Sequence, residues 1–124
     1  MTTVKSIKSG YLFSDKSLQL ESGKTFQDIQ VSYTVSGDLT PDAQIVLVTH
    51  AMTGDQFVSS VNPDTKRKGW WANYVGPNKA IDTNKYCVIC QNIFGGCSGT
   101  TGPSTPDKDG RVLGADFPVI TIGD

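Results

Sequence analysis

The chain has 124 residues, 37% hydrophobic and 19% charged, a balance that excludes wholesale disorder and fits one small globular domain or part of a larger one. Eleven basic and twelve acidic residues leave a formal net charge of −1, so neither a nucleic-acid nor a membrane partner is expected. No apolar run approaches the roughly 20 residues of a membrane helix, and "MTTVKSIKSG" lacks the apolar core of a secretory signal, so a cytoplasmic location is expected.

Residues 1–16 are polar and aperiodic and read as an irregular N-terminal arm, with the domain proper over 17–124. Leu18 and Leu20 alternate with polar neighbours, and "ESGKTF" carries turn residues. Ile29, Val31, Tyr33 and Val35 then alternate strictly with polar residues, the period of a half-buried strand. Together these segments predict an antiparallel hairpin or meander. After the loop "SGDLTPDAQ", the run Ile45–Val48 is continuously aliphatic, which predicts a central parallel strand covered on both faces.

The cluster Lys66-Arg67-Lys68 precedes "GWW" and reads as a solvated helix start rather than a binding patch. Trp70, Trp71, Tyr74 and Val75 predict a short amphipathic helix stopped by Gly76 and Pro77. Tyr86–Cys90 repeats the buried-strand pattern, which gives a strand–helix–strand unit with a right-handed crossover. Five glycines and two prolines between Gly95 and Gly110 then mark a long loop, a length usual for functional loops. Two parallel strands and one short helix do not close a core. The fold class is therefore α/β with an incomplete core, the front part of a larger domain.

Three chemistries are tested against these residues. Cys87 and Cys90 lie three apart on a strand and point to opposite faces, so they chelate a metal badly, and no metal site is expected. With Cys97 the count is odd, and small buried hydrophobes in a reducing compartment fit better than a disulfide. A P-loop needs Lys and then Ser or Thr after its last glycine, but Gly102 is followed by Pro103. "GCSGT" approaches the nucleophile elbow G-x-S-x-G. However, Thr100 stands at the second glycine, and Gly102, Pro103 and Pro106 oppose the helix an elbow requires, so Ser98 reads as a loop serine. His50, the only histidine, follows directly on the aliphatic run in "VLVTHAMTGDQF".

The motifs "HAMTG", "GWW", "GP…AIDT", "YCVICQNIFGGCSGTTGPS" and "DFPVITIGD" stand in that order at close spacing. Together they resemble the N-terminal portion of homoserine O-acetyltransferase, an acyltransferase of methionine biosynthesis with an α/β-hydrolase fold. The resemblance runs from about Leu18 to Asp124, with modest departures: Met52 for leucine, Asn78 for glycine, Cys87 for an aromatic and Thr100 for serine. In such folds a loop after the third strand, often opened by His, supplies a backbone N–H to the oxyanion hole. The resemblance thus implies that Met52 N–H is that donor, with His50, Ala51, Thr53 and Gly54 shaping the loop. Gly95, Gly96, Gly99 and Thr100 would form a possible active-site wall.

The family's serine nucleophile, aspartate and histidine follow the last matched motif, so no triad residue carries over and the 124 residues alone are expected to be inactive. The implied reaction is acetyl transfer from acetyl-CoA, a co-substrate, to L-homoserine, with no permanently bound cofactor. Alternatives are a non-catalytic remnant, half of a split enzyme paired with a complementing C-terminal segment, or a related succinyl- or serine-type O-acyltransferase. A homodimer is a further possible partner arrangement.

Overall fold

Eight strands carry the regular structure of the computed structural model, which describes the backbone of residues 5–12 and 16–124 and the side chains from residue 16 onward. They are β1 (Lys5–Leu12), β2 (Leu18–Gln19), β3 (Thr25–Phe26), β4 (Ile29–Ser36), β5 (Gln44–Thr49), β6 (Val75–Gly76), β7 (Ile81–Asp82) and β8 (Tyr86–Gln91). Four form one sheet in the order β1-β4-β8-β5, while β2 pairs β3 and β6 pairs β7. The chain divides into two compact units, one built on Tyr33–Gln91, the other on Asn92–Asp124 with the segment ending at Ser32.

In the Tyr33–Gln91 unit, β5 runs parallel to β8, with Gln44 opposite Tyr86 and Thr49 opposite Gln91. The expected parallel pair is therefore present. The other flank of β8 meets β4 antiparallel, from Tyr33 opposite Gln91 to Ser36 opposite Val88. Val48, Val58, Val75, Val88 and Cys90 form the core, with Val46, Ile81 and Tyr86 packed against it.

In the other unit the turn at Ser22-Gly23 closes an antiparallel hairpin with Leu20 N–H on the Lys24 carbonyl at 2.8 Å, but its second strand is β3, inside "ESGKTF", and not the expected Ile29–Val35 strand, which pairs with β1 and β8. Phe26, Phe94 and Phe117 pack edge-on or tilted, with centroids 5.5–5.8 Å apart. A 3₁₀ turn, Gly114–Asp116, precedes Phe117.

Four further expectations change. The irregular arm over residues 1–16 contains a strand, Lys5–Leu12, whereas residues 1–4 and 13–15 lie outside the described residues. Hydrophobic period cannot announce this strand, because "KSIKSGYL" has only Ile7, Tyr11 and Leu12 as apolar residues. It forms where the flank of β4 offers backbone partners.

The crossover between β5 and β8 holds no α-helix. In the "GWW" segment Ala72 N–H and Tyr74 N–H bond three residues back, to Gly69 and Trp71, and only Val75 N–H reaches four back, to Trp71. One such bond does not offset the cost of helix nucleation, and Val75 is drawn into β6 instead.

β5 is not covered on both faces. It ends the sheet's strand order, with Val48 buried but Ile45 56% and Leu47 60% exposed. The fourth change concerns the polar side of β4, where Ser32, Thr34 and Ser36 are buried rather than solvated. Thr34 Oγ1 donates to the Gln56 carbonyl at 2.6 Å, and Ser36 Oγ lies 2.6 Å from Ser59 Oγ. Loop residues take the place that water was expected to hold.

Candidate active site

β5 ends at Thr49, and the chain turns immediately. Gly54 N–H donates to the Ala51 carbonyl at 2.7 Å, which places Met52 and Thr53 at the two central positions of a tight turn. His50 Nδ1 lies 2.6 Å from the same Ala51 carbonyl. A carbonyl only accepts, so Nδ1 carries the proton and the ring is tied to its own loop. The Met52 side chain is 82% exposed. Among the described residues its backbone N–H has no acceptor.

The following loop is held by side-chain caps. Asp55 accepts from Phe57 N–H through Oδ1 and from Asn62 Nδ2 through Oδ2, each at 2.9 Å. Asn62 Oδ1 in turn accepts the amides of Asp64 and Thr65 at 2.9 and 3.1 Å, and Asn62 N–H reaches the Arg67 carbonyl at 2.9 Å. Trp71 N–H then bonds the Val58 carbonyl at 2.8 Å. That approach requires Gly69, because a Cβ there would lie 2.6 Å from the Val58 oxygen. Trp70 Nε1 closes the loop on the Asp55 carbonyl at 3.0 Å.

Folding back in this way opens a cleft of about 410 Å³, whose lining includes His50, Ala51, Thr53, Arg67, Lys68 and Trp70. The expectation of a helix start at Lys66-Arg67-Lys68 is corrected, since no helix follows; the three cations are exposed as expected, and two of them line the same cleft as the histidine loop. Nothing local to "KRK" signals this placement, which depends on Asn62 bonding across the loop.

The glycine-rich loop lies in the other unit. Thr100 is buried; its hydroxyl donates to the Asn92 carbonyl at 2.8 Å and accepts Ser32 N–H at 3.0 Å. Thr101 accepts Gln30 N–H at 2.9 Å. Gly99 has φ +100°, a left-handed conformation, and a Cβ there would sit 2.9 Å from Ser32 Cβ. Gly95 is also left-handed, with φ +84°, and Gly96 abuts the Asn92 side chain. Ser98 donates its amide to Asn92 Oδ1 at 3.3 Å, and no α-helix follows it among the described residues.

Cys87 and Cys90 are buried on β8 and Cys97 is exposed, and none of the three is in a disulfide. Burial first, and then the Asp55 carboxylate, push the Cys90 thiol up to about 11. No helix among the described residues is long and apolar enough to cross a membrane.

No sequence-family profile matches the chain. A protein from Methanosarcina acetivorans is 49% identical over 107 residues, 85% of this chain and 20% of its own length. One from Pelagibacter ubique is 49% identical over 112 residues, 89% of this chain and 30% of its own. Both are homoserine O-acetyltransferases. Its curated homologues thus bear out the resemblance.

The chain spans roughly a fifth to a third of the length of the homoserine O-acetyltransferases it matches. The crystal structure of homoserine O-acetyltransferase from Bacillus anthracis superposes with a TM-score of 0.79 at 29% identity, covering 98% of this chain and 34% of that one. The fold class is confirmed as part of an α/β-hydrolase. The antiparallel β2–β3 hairpin, the antiparallel β4–β8 pair and the parallel β5–β8 pair are the portion present.

Proposed function

We propose that this chain is a segment of a homoserine O-acetyltransferase and that it supplies one oxyanion-hole donor, the Met52 backbone N–H. The carrying observation is the Ala51–Gly54 turn at the end of β5, which leaves that amide without an acceptor while Gly54 and His50 both bind the Ala51 carbonyl. Such a donor is already oriented when negative charge develops, which is the property oxyanion stabilisation needs. His50 acts here as a loop former, with Ala51, Thr53 and Gly54 completing the turn.

In the complete enzyme a serine attacks the thioester carbon of acetyl-CoA, the CoA thiol leaves, and the hydroxyl of L-homoserine then takes the acetyl group from the serine. Both steps pass through a tetrahedral oxyanion. The serine, aspartate and histidine that perform them lie outside this segment of the enzyme, so the 124 residues by themselves are inactive. Gly95, Gly96 and Gly99 contribute active-site wall; Thr100 does so through its backbone, its hydroxyl being committed to Asn92 and Ser32. Acetyl-CoA is a co-substrate, no cofactor is permanently bound, and the enzyme is cytoplasmic.

The test exchanges this chain for the matching segment of the Pelagibacter ubique relative and follows CoA thiol release with homoserine. Met52→Leu leaves the rate near that of the parent chimera. Met52→Pro removes the N–H at the first central position of the turn, where proline is sterically welcome, and lowers the rate roughly 100-fold or more. A folded Met52→Pro chimera with undiminished turnover refutes the assignment.

A further inference from the structure

Two cations in the lining of the histidine-loop cleft have no role in the chemistry above. Arg67 and Lys68 line the same cleft as His50, Ala51 and Thr53. Among the described residues neither side chain has a hydrogen-bond or ion-pair partner. Lys66, by contrast, is turned back on the Pro63 carbonyl. The one carboxylate lining the cleft, Asp55, has both oxygens occupied, by Phe57 N–H and by Asn62. Among the described residues it forms no ion pair with either cation. Trp70 shares the lining, and its indole packs tilted against Trp71 with ring centroids 5.1 Å apart. The cleft thus joins a cationic rim and an aromatic wall to the turn that carries the proposed oxyanion donor.

From this juxtaposition we infer that Arg67 and Lys68 form a docking site for the phosphate groups of the acyl-CoA donor. The inference rests on the proposed acyl-transfer reading and adds the residues that hold the donor's charged end. The complementarity is specific in sign and kind. A guanidinium offers a planar fork to phosphate oxygens and an ammonium a mobile point charge; L-homoserine brings a single carboxylate offset by its own ammonium, whereas the donor's phosphates bring several negative charges to match two cations. Anchoring the phosphates at the rim leaves the uncharged pantetheine arm to run along Trp70 toward the turn, so the pair acts on donor binding rather than on the acyl-transfer step.

The measurement is calorimetric titration of the full 124-residue chain at low salt with CoA and, separately, with pantetheine, which lacks every phosphate. CoA binds, pantetheine binds at least tenfold more weakly, and Arg67→Gln with Lys68→Gln weakens CoA at least tenfold while leaving pantetheine unchanged. Lys108→Gln, at an exposed lysine of the other unit, leaves both ligands unaffected. Raising the salt weakens CoA and not pantetheine, as expected for phosphate contacts. Equal affinity for the two ligands, unaltered CoA binding in the double variant, equal weakening of both ligands, or no CoA binding overturns the inference. Acetyl transfer by the chimera together with unaltered CoA binding in the double variant removes the phosphate site and keeps the enzyme reading. Phosphate-dependent binding together with a folded but inactive chimera does the reverse.

Discussion

Thr100→Val exchanges a hydroxyl for a methyl of the same shape at a position that is 4% exposed. Packing is preserved, so the effect isolates hydrogen bonding. Two bonds go: the one given to the Asn92 carbonyl at 2.8 Å and the one accepted from Ser32 N–H at 3.0 Å. Taking the acceptor from a buried amide costs about 1–3 kcal/mol, and losing the donor to Asn92 costs about 1 kcal/mol net, for a destabilisation of about 2–4 kcal/mol. Thr100→Ser keeps the hydroxyl and loses one buried methyl, about 1 kcal/mol. Native-state hydrogen exchange reads both changes, because the Ser32 amide reports directly on the bond. The expected order is parent, then Ser, then Val, with Ser32 protection falling most in the valine variant. A valine variant at least as stable as the serine one, with Ser32 protection unchanged, refutes the assignment of the hydroxyl to those two groups.

Three further outcomes are expected. Gly69→Ala places a Cβ 2.6 Å from the Val58 carbonyl and 2.7 Å from the Ser59 amide nitrogen; forcing that backbone apart costs about 1–3 kcal/mol, read as a lower urea midpoint by tryptophan fluorescence. The raised Cys90 thiol favours the protonated form in the folded chain, so its contribution is intact below about 9, declines as pH rises and is lost by about 11. Urea midpoints across that interval should fall more steeply for the parent than for Cys90→Ala. In the chimera, His50→Gln lowers turnover without moving the pH–rate profile, whereas disappearance of an ionisation near neutral pH would make His50 a proton carrier.

The sequence announced what local chemistry dictates. The hairpin turn at Ser22-Gly23, the parallel pairing of Ile45–Val48 with Tyr86–Cys90 and the turn beginning at His50 were all legible, because each is set by residues adjacent in the chain or by a uniform apolar run. The motifs from "HAMTG" to "DFPVITIGD" identified the homologues for the same reason. Strand β1 was illegible because its stability comes from pairing with β4 and not from its own pattern. The "GWW" segment misled because its apolar spacing suits one helical turn as well as a helix, and the decisive contact, Gly69 beneath Val58 and Ser59, joins residues ten or more apart.

The polar positions of β4 show why periodicity alone could not locate the site. Alternation read Ser32, Thr34 and Ser36 as the wet face, on the premise that a polar side chain in a strand faces water. What such a side chain requires is hydrogen-bonding groups, and a loop peptide provides them as water does. Gln56 and Ser59 do so for Thr34 and Ser36, and Thr100 does so for the Ser32 amide. In the Tyr33–Gln91 unit this has a consequence for chemistry. The loop that buries Thr34 and Ser36 also contains Asp55 and Asn62, which direct the chain back through Arg67 to the tryptophans. The small hydroxyls of β4 and the caps at Asp55 and Asn62 therefore hold one loop from both ends. That shared anchorage brings Arg67 and Lys68, two to four residues before the tryptophan pair, into the lining of the cleft that also holds His50.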